Sequence, residues 1–208
     1  HRIENVIMEA SSHGLDQNRL DGLIFNTGIF SNLSQDHLDY HKNLKDYLDA
    51  KLYLFRNLIK KRGNIITDSK IPEFVEIKKI AKKKFLKLNT IEGKNEKLKI
   101  LTHSFNDESQ ILKIKYKGLV KHIRINLIGK IQIKNILMAL IAAEKSGLNL
   151  NKILNVLPSL KPIEGRFEKI GMIKNKSKVI LDYAHTPDAL KTCLLNLKEQ
   201  FPDKKIIS

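Results

Sequence analysis

At 208 residues the chain is long enough to bury a sizeable core, as one large domain or one and a half ordinary ones. A single cysteine, Cys193, excludes a disulfide framework, and no apolar run approaches the roughly eighteen residues that a membrane-spanning helix needs. The net charge of +16 would suit a polyanion partner, but only six of the 38 basic residues are Arg, and the Lys are scattered with few aromatic platforms beside them.

The opening HRIENVIMEA does not resemble a secretion signal, so the chain reads as soluble and intracellular. Val6 to Met8 reads as a strand already under way, which predicts a chain that begins inside a domain. It leads into Glu9, Ala10, Ser11, Ser12, His13 and Gly14, polar groups at a strand's C-terminal end, where open α/β sheets bind ligands. Helix capping is the plain alternative for the two serines. Leu23 to Phe30, interrupted by Asn26, Thr27 and Gly28, predicts a buried strand.

The stretch Ser31 to Lys51, SNLSQDHLDYHKNLKDYLDAK, concentrates metal-competent side chains just ahead of an amphipathic helix, and the chemistry is expected there. Asp36, His37, Asp39 and His41 bring two carboxylates and two imidazoles into one short segment. A solvated turn, a magnesium or manganese site and a zinc site all remain open. Leu44, Tyr47, Leu48, Leu52, Phe55, Leu58 and Ile59 recur at helical spacing and form one apolar stripe. Lys51 falls within roughly 20° of the middle of that stripe at about 100° per residue. A lysine so placed must snorkel, pair or change its chemistry, because burying a bare ammonium is costly. A desolvated amine loses its proton more readily, and the neutral form can capture carbon dioxide as a carbamate, an anionic oxygen ligand for a hard cation.

Gly63 is read as the end of that helix, Asn64 to Thr67 as a short strand, and Ile71 to Lys83 as a surface helix. Lys78 to Lys87, KKIAKKKFLK, is the densest basic run and reads as a solvated helix face, with a nucleic-acid surface as the alternative. From Phe85 to Leu127 the pattern alternates at period two, with turns at Asn106-Asp107 and Lys117-Gly118, which predicts a small antiparallel sheet. Gly129 to Ser146 predicts a helix buried on most sides and stopped by Gly147, and Leu150 to Leu160 a further amphipathic helix.

Pro158 to Pro162 is the best linker, so the expected division is residues 1–161 and 162–208. After it come a turn at Lys174 to Ser177, a strand at Val179 to Leu181, and a helix marked by Thr186 as N-cap and Pro187 in its first turn. Asp182 and His185 fall on the strand-to-helix loop. Cys193 shares an apolar stripe with Leu190, Leu194 and Leu197 and reads as packing. The final KKIIS reads as the start of another strand.

The segments MEASSHGLDQNRLDGL, TGIFSNLSQDHLDYHKNLKDYLDAK, LIGKIQIKN, EGRFE and LDYAHTPDAL, in this order, resemble the Mur ligase family, most closely its MurE type. The resemblance runs over nearly the whole chain. It implies an α/β fold: a central ATP-binding domain with a mainly parallel, P-loop-NTPase-like sheet flanked by helices and a small antiparallel sheet, followed by the start of a Rossmann-like C-terminal domain. It implies a cytoplasmic enzyme of cell-wall peptidoglycan synthesis that joins a diamino acid to UDP-MurNAc-L-Ala-D-Glu at the expense of ATP; meso-diaminopimelate is the expected diamino acid over Lys, the residues that choose it lying past Ser208, and a monomer is expected with the oligomeric state otherwise open. Neither nucleic acid nor membrane is an implied partner.

By the same resemblance Lys51 is the carbamylated lysine that, with the His37 imidazole, holds the second of two magnesium ions, and Glu9 holds the magnesium between the nucleotide phosphates. Ser11, Gln17 and Arg19 match positions that contact the UDP-muramoyl dipeptide. Tyr47 aligns near the phosphates, and Asn135, Arg166, Asp182 and His185 with the nucleotide. Gln132 departs from the family's usual Asn, its amide one methylene further out. The Gly-rich phosphate loop and the amino-acid pocket are expected outside this sequence, so the 208 residues alone are expected to be inactive. Other readings are a sibling ligase such as a folate polyglutamate ligase, a basic nucleic-acid module, and a metal hydrolase built on Asp36, His37, Asp39 and His41.

Overall fold

A computed structural model describes residues 3–34, 40–91 and 98–208, Asn175 by its backbone only. The predicted strand after Leu23 is β1 (Phe25–Phe30). It pairs in parallel with β2 (Ile59–Asp68), and β2 pairs in parallel with β3 (Lys87–Ile91), giving the sheet order β1-β2-β3. Between β1 and β2 run α1's successor helix α2 (Leu44–Tyr53) and one π-helical turn, Leu54–Leu58, α1 itself being the short helix Ser12–Asp16. Helix α3 (Phe74–Lys83) joins β2 to β3. It buries Ile77, Ile80 and Ala81 and turns its lysines to solvent, as the basic run predicted.

Period-two alternation gives β4 (Leu98–Asn106), β5 (Ser109–Tyr116) and β6 (Leu119–Ile125), an antiparallel meander. Its Leu98, Leu112, Ile114, Ile123 and Ile125 face inward and share a core with α4 (Lys130–Lys145). That helix buries Ile133, Ile136, Leu137, Met138, Leu140 and Ile141. Each such side chain contributes roughly 1.5–3 kcal/mol over its exposed state. Gly147 follows at φ +95°, the left-handed stop predicted for it. Helix α5 (Leu150–Val156) ends in a 3-10 turn, Leu157–Ser159.

Four expectations need correction. Val6 to Met8 form no strand: Val6 is 75% and Ile7 99% exposed, and the triplet pairs with no strand among the described residues, the outer edge of β1 included. Gly63 lies inside β2 and ends no helix. Pairing jumps from Phe25–Ile59 to Thr27–Asn64, so residues 60–63 loop out of register. A Cβ on Gly63 would stand 2.6 Å from Ile59 Cγ2 and 2.8 Å from the Lys60 carbonyl, so glycine serves a close approach there. Residues 87–91, read as part of the antiparallel region, complete the parallel sheet instead. The terminal KKIIS forms no strand.

After the prolines, β7 (Glu168–Ile173) and β8 (Ser177–Leu181) form an antiparallel hairpin, and α6 (Pro187–Gln200) follows, with Thr186 Oγ1 accepting from the Ala189 amide at 3.3 Å. Helix α6 supplies what the start of α4 lacks. Gly129 has no side chain to cap the first turn, and Gln200 Oε1 accepts from its amide at 2.8 Å while Asn196 Oδ1 accepts from the Ile131 amide at 3.0 Å. Gln200 also donates to the Asp107 carbonyl at 2.8 Å and is 4% exposed. Phe167, Ile128 and the buried Cys193 pack beside this junction, confirming Cys193 as packing.

The turn between β4 and β5 grips the same segment by charge. Lys169 donates to Glu108 at 2.7 Å, and Lys178 reaches both Glu108 and Asp107. The hydrogen bond from Lys178 holds the Asp107 carboxyl below its usual range. Burial pushes the Glu108 carboxyl up, but Lys169 and Lys178 outweigh it and leave it lowered. A carboxyl with a lowered folded-state pKa adds stability that is complete above its unfolded value and lost as pH falls through the folded one. The melting temperature should therefore drop as pH descends below about 4. The double variant Asp107→Asn, Glu108→Gln should show a flatter acid limb in the same melting series.

Candidate active site

Two segments on either side of β1 meet at its carboxyl end. Ser11 caps α1, its Oγ accepting from the Gly14 amide at 3.1 Å, so the plain capping reading accounts for it. Glu9 and Ser11 are exposed just before that helix, and Gln17 and Arg19 just after it. Gln17 Nε2 donates to the Tyr40 hydroxyl at 3.1 Å, and that hydroxyl donates to Asp16 at 2.8 Å. This draws the predicted substrate side of the chain against the start of α2.

A column of rings continues inward. His13 lies 4.0 Å from Tyr40 and 5.5 Å from His41 between centroids, and His41 stacks on Tyr47 at 5.0 Å and 16°. His41 is 4% exposed and its Nε2 is 2.9 Å from Ser12 Oγ. Among the described residues it packs against Ser12 and the rings of His13, Tyr40 and Tyr47. Tyr47, also 4% exposed, has its ring between His41 and the Lys51 ammonium, which sits 4.8 Å from its centroid.

Lys51 is half-buried on α2. Its Nζ donates to the Asn32 carbonyl at 3.1 Å and lies 5.8 Å from the Phe30 ring. Phe30 ends β1, so the amine is delivered to the carboxyl edge of the parallel sheet, the edge where such folds bind ligands. The inward lysine read from the helical stripe is thus neither snorkelling into solvent nor sealed in the core. Leu44, placed on that stripe, is 40% exposed at the helix start. At the same edge β2 ends in Asp68, 1% exposed, whose Oδ2 accepts from Lys134 of α4 at 2.6 Å.

Three of the four residues expected around a nucleotide gather at the β8–α6 loop. Asp182 ties the loop down, accepting from the Phe167 amide at 3.0 Å and the Ala184 amide at 2.9 Å. The Arg166 guanidinium lies 5.1 Å over the Tyr183 ring, and His185 meets the same ring edge-on at 5.0 Å while its Nδ1 is 3.0 Å from the Tyr183 carbonyl. Tyr183, 65% exposed, organises this cluster and was missed in the sequence; an aromatic between Asp182 and His185 in LDYAHTPDAL was the signal. The fourth, Asn135, is exposed on α4, and Gln132 is half-buried one turn before it.

Asp36, His37 and Asp39 lie outside the described residues. Among the described residues no three His, Cys, Asp or Glu side chains come close enough to hold a metal ion. The donor set implied for magnesium does not need such a trio. By the resemblance Glu9, exposed just before α1, serves one magnesium, and His37 with Lys51 the other.

A family profile, Mur ligase middle domain, matches residues 1–143, and a second, Mur ligase, glutamate ligase domain, matches residues 165–208. The chain belongs to the Mur ligase family. Among curated Mur ligases, the UDP-N-acetylmuramoyl-L-alanyl-D-glutamate--2,6-diaminopimelate ligase of Zymomonas mobilis is 37% identical over 196 residues, 94% of this chain and 40% of its own length. The corresponding ligase 1 of Clostridium acetobutylicum is 36% identical over 100% of this chain and 42% of its own. The chain therefore spans about 40% of the length of the Mur ligases it matches. A solved structure of a ligase of that same name superposes with a TM-score of 0.75 at 31% identity, over 91% of this chain and 39% of its own. The MurF ligase of Thermotoga maritima, solved in complex with ADP, gives 0.73 at 14% identity over 91% of this chain and 42% of its own, a likeness of fold alone.

The buried Ser12–His41 contact holds α1 against α2. Ser12→Ala should strand an imidazole nitrogen and cost about 1–3 kcal/mol in a urea unfolding titration. His41→Phe, which keeps the stack on Tyr47, should behave as Ser12→Ala does and show no further loss when the two are combined.

Proposed function

We propose that the chain forms part of an ATP-dependent ligase of peptidoglycan precursor synthesis, one that adds a diamino acid, meso-diaminopimelate, to UDP-MurNAc-L-Ala-D-Glu. Family membership across both matched segments supports the reading, and so does the naming of the relatives at more than 30% identity. The observation that carries it is Lys51, an amine brought to the carboxyl edge of the parallel sheet with aromatic faces on its flanks.

The reaction proceeds in two transfers. The terminal D-Glu carboxylate takes the γ-phosphoryl group of ATP and releases ADP, giving an acyl phosphate. The amine of the diamino acid then attacks that carbonyl carbon, the phosphate departs with the bonding pair, and the amine loses a proton to leave an amide. Magnesium, when bound, supplies the positive charge that lets an anionic carboxylate approach an anionic phosphate. Of the two magnesium ions, Glu9 would hold one, and His37 with the Lys51 carbamate the other.

Lys51 contributes through its modification. Its neutral amine attacks carbon dioxide and loses a proton, leaving a carbamate with two ligand oxygens. Ring faces and a carbonyl hold the unmodified ammonium in place. The carbamate reverses the charge, so it gains most from a cation nearby, and modification and metal loading should rise together. Tyr47, buried between His41 and Lys51, aims the side chain. Arg166 and His185, both set by Tyr183, face the nucleotide together with Asn135, and Asp182 fixes the loop that carries them. Ser11, Gln17 and Arg19 serve the dipeptide end. The substrates are soluble nucleotides and amino acids, so this reading places the reaction in the cytoplasm.

In the full-length protein, Lys51→Ala should lower ligation by roughly a hundred- to a thousandfold in kcat, the scale for loss of an electrostatic stabiliser, with partial recovery in added acetate. Amide formation is followed from UDP-MurNAc-L-Ala-D-Glu, ATP and meso-diaminopimelate. A carbamate carbon signal from isotope-labelled bicarbonate should be present in the parent protein and absent from the variant; full activity without that signal would overturn the assignment.

A further inference from the structure

A cleft of about 260 Å³ opens where the free edge of β6 faces α5, and it shares no residue with the site above. Lys121, His122 and Arg124 line one wall, and Asn151 and Asn155 the other. The two asparagines are four apart on α5 and so present their amides on one helix face. No carboxylate lines the cleft. Among the described residues the side chains of Lys121, His122 and Asn155 have no hydrogen-bond or ion-pair partner.

Arg124 is held in place. Its Nε donates to Asn126 Oδ1 at 3.3 Å, and Asn126 Nδ2 donates in turn to the Pro158 carbonyl at 2.8 Å, so the guanidinium is tethered to the opposite wall. Basic residues on an edge strand commonly guard it against pairing with another chain. A guard needs only projecting charge. Here a second element closes over that edge with amide donors and an apolar floor of Ile123 and Leu154, both buried.

We propose that this cleft binds the phosphoryl group of a small phosphomonoester. A lysine and an arginine with no lining carboxylate match the two charges of a phosphate ester, and the Arg fork, the ammonium and the amides supply the donors its three terminal oxygens accept. The volume, about 260 Å³, falls just below the roughly 300–1,000 Å³ of drug-sized ligand pockets, which suits a small ester. The organic group would rest on Leu154 and Pro158.

Titration of the 208-residue chain with phenyl phosphate, inorganic phosphate and benzoate, read by amide chemical shifts, tests this. Saturable shifts confined to Lys121–Arg124 and Asn151–Asn155 are expected, with phenyl phosphate tightest, inorganic phosphate weaker and benzoate weakest. If inorganic phosphate binds as tightly as the ester, the organic group has no place in the cleft and the proposal fails. Arg124→Glu should weaken phenyl phosphate by about tenfold or more, as loss and reversal of a charge-assisted contact does. Asn155→Asp, on an exposed helix face, should act in the same direction should the first variant not fold. Shifts that spread without saturation over the surface lysines, or equal affinity in both variants, would overturn the proposal. So would saturation of these residues by a short single-stranded oligonucleotide with none by phenyl phosphate, which would make the surface one for nucleic acid.

Discussion

Strand β2 is the partition on which the molecule is assembled. Ile65 and Ile66 are neighbours in sequence and both fully buried, yet they belong to different cores. Ile65 packs with α3 and the π-helical turn, whereas Ile66 packs with α4 and the antiparallel sheet. Successive side chains on a strand point to opposite faces, so a strand buried on both sides couples the two clusters, and β3 does the same at the sheet edge with Leu88 on one side and Ile91 on the other. The three-stranded parallel sheet is small, but it cannot slip register without exposing one isoleucine and burying polar groups.

That constraint also fixes the edge where chemistry is expected. Thr67 Oγ1 donates to the Phe30 carbonyl at 2.9 Å and locks the end of β2 to the end of β1. Phe30 is then the floor beneath the Lys51 amine, and Asp68, one residue on, anchors Lys134 from the opposite layer. A buried carboxylate so close to a strand end is retained at a desolvation cost that its lysine and the Lys70 amide, at 2.9 Å, offset. The carboxyl ends of β1 and β2 are therefore held from both faces, which gives the half-buried lysine a fixed address.

Much of this was legible in the sequence because the signals were local. The antiparallel meander follows from alternation plus two turn dipeptides, and α6 from a Thr-Pro start. Lys51 was found by angular position on a helical stripe, and it lies over Tyr47 and Phe30 as an inward lysine must. What escaped reading depended on partners distant in sequence. Val6 to Met8 looks like a strand and has no ladder to join; residues 87–91 look like the meander and are captured by β2. Gly63 carries a helix-stop signal, but the π-helical turn had already ended the helix, and the glycine is needed where the backbones of residues 26 and 60 crowd it. His41 sits in a run of metal-competent residues, and its buried contact with Ser12, twenty-nine positions away, is not announced by that run.

The segment after Gly165 shows how the candidate site depends on docking. Arg166 and Asp182 belong to it, whereas Lys51 and Asn135 do not, so any ligand spanning them needs the two held in one arrangement. The holding groups are polar: Gln200 and Asn196 cap α4, and Lys169 and Lys178 meet the β4–β5 turn. The apolar share is confined to Phe167, Ile128, Cys193 and the residues packed around them. An interface of that composition is specific in orientation but inexpensive to open, since each released amide and ion pair finds water. The residues proposed to meet a nucleotide are thus carried on a unit whose position is set by direction of hydrogen bonds more than by buried area, and a ligand touching both sides would add to what holds it there.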